Sequence, residues 1–150
     1  MTFAQTHRMP RGLLARTRYF ALAVGTMALG LAVHRRGGAL SPAVRDVLGD
    51  ALWAAMVVWW IAAIAPASRL HWRAAVALAL CFAVEFSQLW HLPVLDALRR
   101  TTAGHLVLGS GFDPRDCGAY AAGVLAAVLF ERATERRGSG KPAGVRPRAG

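Results

Sequence analysis

The residues able to do chemistry lie between Asp50 and Tyr120, as acids, amides and bases set into otherwise apolar sequence. Glu85 is the sharpest of them. It interrupts the uncharged run Ala74–Val84 and stands seven residues before Leu92, roughly 10 Å from that expected helix end at 1.5 Å per residue. An ionised carboxylate that deep in hydrocarbon costs about 2.5–3.5 kcal/mol on insertion scales, so Glu85 requires a polar partner or a proton. Gln88 follows at i+3 on the same helical face, and Cys81 at i−4 continues the stripe. Arg99 or Arg100, in the following loop, is expected to reach Glu85. Two roles fit this carboxylate: a ligand-binding or proton-handling group, and a structural pin between helices.

The other candidates are Asp50, Asp96, Arg99, His105, Asp116 and Tyr120. Asp50 and Asp116 each open an apolar run, where they serve either as binding groups or as helix caps favoured by the helix dipole. Asp96 and Arg99, three apart, suit a local ion pair of little value if exposed. Tyr120 is one turn past Asp116 and either donates toward Glu85 or packs at headgroup level. His105 has no second histidine at ligand spacing, so neither a metal nor another cofactor is expected. The chain has no G-x-S-x-G elbow, no H-E-x-x-H and no phosphate-cradling glycine loop. Cys81 and Cys117 read as small residues tolerated in helices.

The elements that must hold these residues are apolar helices. The chain of 150 residues is 55% hydrophobic and only 17% charged, a membrane composition. The expected fold is all-α: a polytopic membrane protein with four transmembrane helices in a small bundle. The spans fall at about 18–34, 50–66, 72–92 and 116–131, each near the ~20 residues that cross a ~30 Å core. A basic tail, 1–17, precedes this domain of 18–131, and a basic disordered tail, 132–150, follows it. The first apolar run ends in His34-Arg35-Arg36 without a small-x-small site, so it is expected to remain as a span rather than be cleaved.

Residues 37–49 connect spans one and two. Ser41-Pro42 is an N-cap followed by proline at the first helical position, and Ala43, Val44, Val47 and Leu48 share a face. A short helix on the membrane surface and an ordinary loop both fit this stretch. The apolar segment Leu106–Phe112 is too short to cross. In span four, Gly118 with Ala122 and Ala119 with Gly123 form small-xxx-small pairs that allow close helix approach. Trp59 and Trp60 lie well inside span two and are expected to pack between helices, whereas Tyr19, Trp72, Trp53 and Trp90 mark interfacial edges.

The formal charge of +10 comes from 18 basic against 8 acidic residues. The basic residues flank the spans and fill the tails, which argues against nucleic acid as a partner and for the lipid bilayer. With the N-terminus inside, twelve of the 18 lie in inner segments (up to residue 18, 69–73 and beyond 131) and six in outer ones. Both termini are therefore expected in the cytoplasm. Arginine outnumbers lysine seventeen to one, a bias typical of GC-rich bacterial coding. This topology brings Asp50, the Glu85–Gln88 pair, the 93–115 loop and Asp116 to one outer face.

Gly49-Asp50-Ala51-Leu52-Trp53-Ala54, Glu85-x-Ser87-Gln88-Leu89, Leu95-Asp96-x-Leu98-Arg99, Gly104-His105-Leu106-x-Leu108-Gly109-x-Gly111-Phe112 and Asp116-x-x-Ala119-Tyr120-x-x-Gly123 resemble a bacterial membrane family, domain of unknown function two-eight-zero-nine. The resemblance spans about residues 18–131 and implies the fold without an activity. The pattern is also distantly similar to VanZ-like proteins, in which Glu-x-x-Gln precedes Asp-x-x-x-Asn-x-x-Gly. Tyr120 stands here in place of that Asn.

Three functions follow as expectations. The first is a non-catalytic envelope protein of the bacterial inner membrane whose outer-face cluster binds a lipid headgroup, a cell-wall precursor or a partner protein. The second is a membrane enzyme using Glu85 or an Asp as general acid and base. The third is a transport component with Glu85 as proton-coupled carboxylate, for which a homo-oligomer would enclose the path.

Overall fold

The structure, a computed structural model, describes residues 11–109 and 111–139, and for 11, 37, 105, 106, 138 and 139 it describes the backbone alone. The described residues are all-helical, with no strand among them. Six α-helices follow in order: α1 Arg11–Arg36, α2 Pro42–Ile64, α3 Leu70–Ser87, α4 Pro93–Arg99, α5 Thr102–Leu108 and α6 Pro114–Ser139, with a 3-10 turn at Gly37–Ala39. The expected tails are described only at 11–17 and 132–139, where they extend α1 and α6 by helical turns. Arginine and glutamate are good helix formers, so the helices continue past the apolar runs they carry.

Helix α2 starts where Ser41-Pro42 predicts. The Ser41 hydroxyl accepts from the Val44 N–H at 3.4 Å, and Pro42 occupies the first turn. The helix then continues unbroken to Ile64. The surface helix and span two are thus one element, and Asp50 is not a cap: it lies eight residues inside the helix. Ala65-Pro66 stops α2, because proline lacks the N–H that the next turn needs.

Helix α3 ends at Ser87, five residues before the expected 92. The N–H groups of Gln88, Leu89 and Trp90 turn back to the Glu85, Phe86 and Ser87 carbonyls at 3.1 Å each, a three-residue tightening that closes a helix terminus. Proline at position 93 then opens α4. Glu85 therefore belongs to the last turn of α3, not to a point two turns below its end. At the start of α6, the Asp113 carboxylate accepts from the Arg115 N–H at 2.9 Å, and Pro114 follows in the first turn.

Helices α1 and α2 form an extensive hairpin, and α6 packs across α2 and α3. The shared core is built from small side chains: Ala23, Ala54, Ala62, Ala77, Cys81 and Ala127 are buried beside Val58 and Trp59. Trp59 stacks on Tyr19 with centroids 6.3 Å apart and meets Phe130 edge-on at 5.8 Å. Trp60 meets Phe20 edge-on at 5.4 Å. Trp59 and Trp60 thus pack between helices. Both cysteines are free thiols.

Large apolar side chains also cover the outside. Phe20, Met27 and Leu29 of α1, Ile64 of α2, Leu80 of α3, and Leu125 and Leu129 of α6 are exposed. Helices α2 and α3 are long and apolar enough to cross a membrane. Of the two small-residue pairs in α6, Ala119 and Gly123 face the core. A Cβ added at Gly123 would overlap the Ala51 carbonyl of α2, whereas one at Gly118 meets nothing within 4 Å.

This contrast yields a prediction. Gly123→Ala forces α2 and α6 apart and should cost about 1–3 kcal/mol, the usual range for overpacking. Gly118→Ala should leave stability unchanged or raise it by up to about 1 kcal/mol. Unfolding midpoints of the detergent-solubilised variants, followed by circular dichroism, separate the two.

Candidate functional site

Glu85 is fully buried, with 0% of its surface exposed. Three donors from three segments hold its carboxylate. Gln88 Nε2 of the α3 terminus donates to Oε2 at 3.2 Å, the Tyr120 hydroxyl of α6 donates to Oε2 at 3.1 Å, and the Asp113 N–H donates to Oε1 at 2.7 Å. Three hydrogen bonds offset the desolvation of a buried acid.

The segment that brings Asp113 over Glu85 has its own requirement. Gly109 takes φ +67°, and a Cβ there would meet the Gln88 amide. Glycine is the residue that adopts this left-handed conformation while leaving that space free. Phe112 then stacks on Phe86 of α3 with centroids 5.8 Å apart. The covering is thus fastened to α3 by an aromatic pair on one side and by the Asp113 N–H on the other.

Two more carboxylates adjoin this one. Asp50 of α2 and Asp116 of α6 come within hydrogen-bonding reach of each other, beside Glu85. Each is half-buried, so they form the accessible edge of a cluster whose floor is sealed. Asp116 stands in the first turn of α6, where the dipole favours an anion. Asp50, deep in α2, has no such support. Among the described residues no lysine, arginine or histidine side chain pairs with any of the three. Gln88 Oε1 is buried beside them without a hydrogen-bond donor.

Arg99 does not reach Glu85, and neither does Arg100. Arg99 instead clamps the end of α3: Nη2 donates to the Ser87 carbonyl at 2.7 Å, and Nη1 to the Trp90 carbonyl and Asp96 Oδ1, both at 3.1 Å. A cation on the last carbonyls of a helix is favoured by its dipole. Asp96 is occupied by Arg99 and lies 3.8 Å from exposed His91. The structure therefore brings together Asp50, Glu85, Gln88, Asp116 and Tyr120, and it sets Asp96 and Arg99 apart as a clamp on the α3 terminus. The His105 side chain lies outside the described ones, its backbone being in α5.

A second polar centre, unforeseen from the sequence, occupies the opposite end of the bundle. Arg73 and Glu131 are 4% and 2% exposed and form an ion pair at 3.0 Å between α3 and α6. Tyr19 of α1 donates to the same Glu131 oxygen. Arg73 uses its remaining N–H groups on the Tyr19 hydroxyl at 3.1 Å, Ser68 Oγ at 3.0 Å, and the Pro66 and Ser68 carbonyls, each at 2.7 Å. Tyr19 is thus a buried hydrogen-bonding residue rather than an interfacial marker. A signal for the pair was present: with four antiparallel long helices, Arg73 and Glu131 fall at the same end of two neighbouring helices.

Removing one partner of a buried pair costs about 3–5 kcal/mol, because the other charge is left uncompensated. Arg73→Met should therefore lower the unfolding midpoint sharply. Adding Glu131→Gln to it should restore part of the loss. The comparison is made on purified protein by thermal unfolding.

A family model described as "Protein of unknown function (DUF2809)" matches residues 39–124, more than half of the 150-residue chain. The matched stretch runs from just before α2 into α6. It contains every residue of the Glu85 cluster, and it omits α1 and Glu131. No solved structure matches the chain.

Proposed function

The chain belongs to this family, and from that premise we propose that it is a multi-pass protein of the bacterial inner membrane that binds a cationic group at its outer face. In this reading α1, α2, α3 and α6 are four spans, both termini are cytoplasmic, and α4–α5 lie on the outer side. The apolar side chains exposed on all four long helices support it, as does the excess of arginine at the opposite end. The role is non-catalytic and belongs to the envelope. Suitable ligands are the ammonium of a lipid headgroup, the amine of a cell-wall precursor, or a basic side chain of a partner protein.

The observation that carries the proposal is the meeting of Asp50 and Asp116 at a half-buried edge beside Glu85, with no cation paired to any of them among the described residues. Glu85 itself holds the site together. A transport path through it would need water to reach a side chain that has no exposed surface.

The test compares phosphatidylethanolamine, whose ammonium donates hydrogen bonds, with phosphatidylcholine, whose methylated amine does not. Binding to the purified protein is followed by tryptophan fluorescence in neutral detergent. One hydrogen bond to a charged group, about 1.5–3 kcal/mol, corresponds to a preference of roughly tenfold or more for the ethanolamine lipid. The Asp50→Asn, Asp116→Asn double variant should lose that preference while keeping its unfolding free energy within about 1 kcal/mol of wild type. Equal binding of the two lipids by wild type, or a preference retained by the double variant, would count against the reading.

A further inference from the structure

We infer that the chain carries a lipid site separate from the acidic cluster, for an anionic phospholipid, in the groove between the N-terminal half of α1 and the C-terminal end of α2. The groove has a volume of about 660 Å³ and is lined by Arg16, Thr17, Phe20, Trp60, Ala63 and Ile64. Three of these, Phe20, Trp60 and Ile64, present large apolar surfaces. Phe20 and Ile64 are 52% and 73% exposed, so among the described residues nothing covers this wall. Phe20 and Trp60 are fixed against each other edge-on at 5.4 Å, which gives the wall a defined shape.

Charge selects the occupant. Arg16 is exposed at the groove and pairs with no carboxylate among the described residues. The neighbouring arginines differ. Arg18 donates to Thr134 at 2.8 Å and lies over the Tyr19 ring, and Arg73 is consumed by Glu131. The end of the bundle that holds the groove also carries Arg69, Arg132, Arg136 and Arg137. Its acids among the described residues are Glu131, buried in the pair with Arg73, and Glu135. An apolar wall ending in an available guanidinium, within a positive field, matches an acyl chain ending in a phosphate of net negative charge. The Arg16 guanidinium binds the phosphate, and Phe20, Trp60 and Ile64 bind the upper acyl chain.

The inference rests on the four-span reading but not on the acidic site at the other end. Native mass spectrometry of the full chain in neutral detergent tests it, with phosphatidylglycerol and phosphatidylcholine as probes at equal concentration. The expected result is one phosphatidylglycerol retained per chain with about fivefold preference over phosphatidylcholine, the ratio that one interfacial arginine supports. Arg16→Gln should abolish the preference, and Ala63→Trp, which fills the groove and leaves Arg16 in place, should abolish retention itself. Far-UV circular dichroism checks that both variants keep their helices. Equal retention of the two lipids, or phosphatidylglycerol retention unchanged in both variants, would overturn the site. Recovery of the protein from the soluble fraction of expressing cells would overturn the four-span reading and this site with it. A membrane-bound protein without lipid preference would overturn this site alone.

Discussion

A carboxylate with no exposed surface must be satisfied from within, and the end of the bundle around Glu85 is arranged to do so. One donor comes from its own helix terminus, one from α6, and one from the backbone that leads into α6. Each donor has a structural prerequisite. Gln88 reaches back because α3 has just ended. Tyr120 arrives because Gly123 lets α6 close on α2. The Asp113 N–H arrives because Gly109 turns the chain where a side chain would collide with Gln88. Losing any one leaves a buried polar group unmade, which costs more than a good hydrogen bond contributes.

Between the two polar ends, the buried stripe of α3 is built from small residues. Arg73, Ala77, Cys81 and Glu85 recur every four positions along α3 and form its buried stripe. That stripe begins and ends in charge, and alanine and cysteine fill the middle. Small side chains bring helix axes close, where dispersion and weak contacts accumulate. The polar ends fix which helix faces meet: the Arg73–Glu131–Tyr19 centre joins α1, α3 and α6, and the Glu85 centre joins α3 and α6 and borders α2.

Much of the helical plan was legible in the sequence. Ser41-Pro42 announces the start of α2 and Pro66 its end, and the pair Trp59-Trp60, too deep for an interface, announces packing. Glu85, Gln88, Asp116 and Tyr120 stood out as polar residues at helical spacing in apolar runs. What escaped notice depended on contacts far apart in the chain. The end of α3 is set by Arg99, twelve residues beyond Ser87, whose guanidinium takes the terminal carbonyl. Asp50 resembled a cap because the charge-free run begins after it, although the backbone was already helical from Pro42. Arg73 read as one of the inner-side charges because nothing local shows that Glu131, 58 positions away, folds back onto it.

The account turns on the bond between the Glu85 carboxylate and the Tyr120 hydroxyl. A double-mutant cycle with Glu85→Gln and Tyr120→Phe, measured as unfolding free energies of the purified protein in detergent, isolates that contact. The account predicts a coupling energy between about 0.5 and 3 kcal/mol, the range for residues in one hydrogen-bond network. Effects that add to within about 0.3–0.5 kcal/mol, as for independent sites, would contradict it.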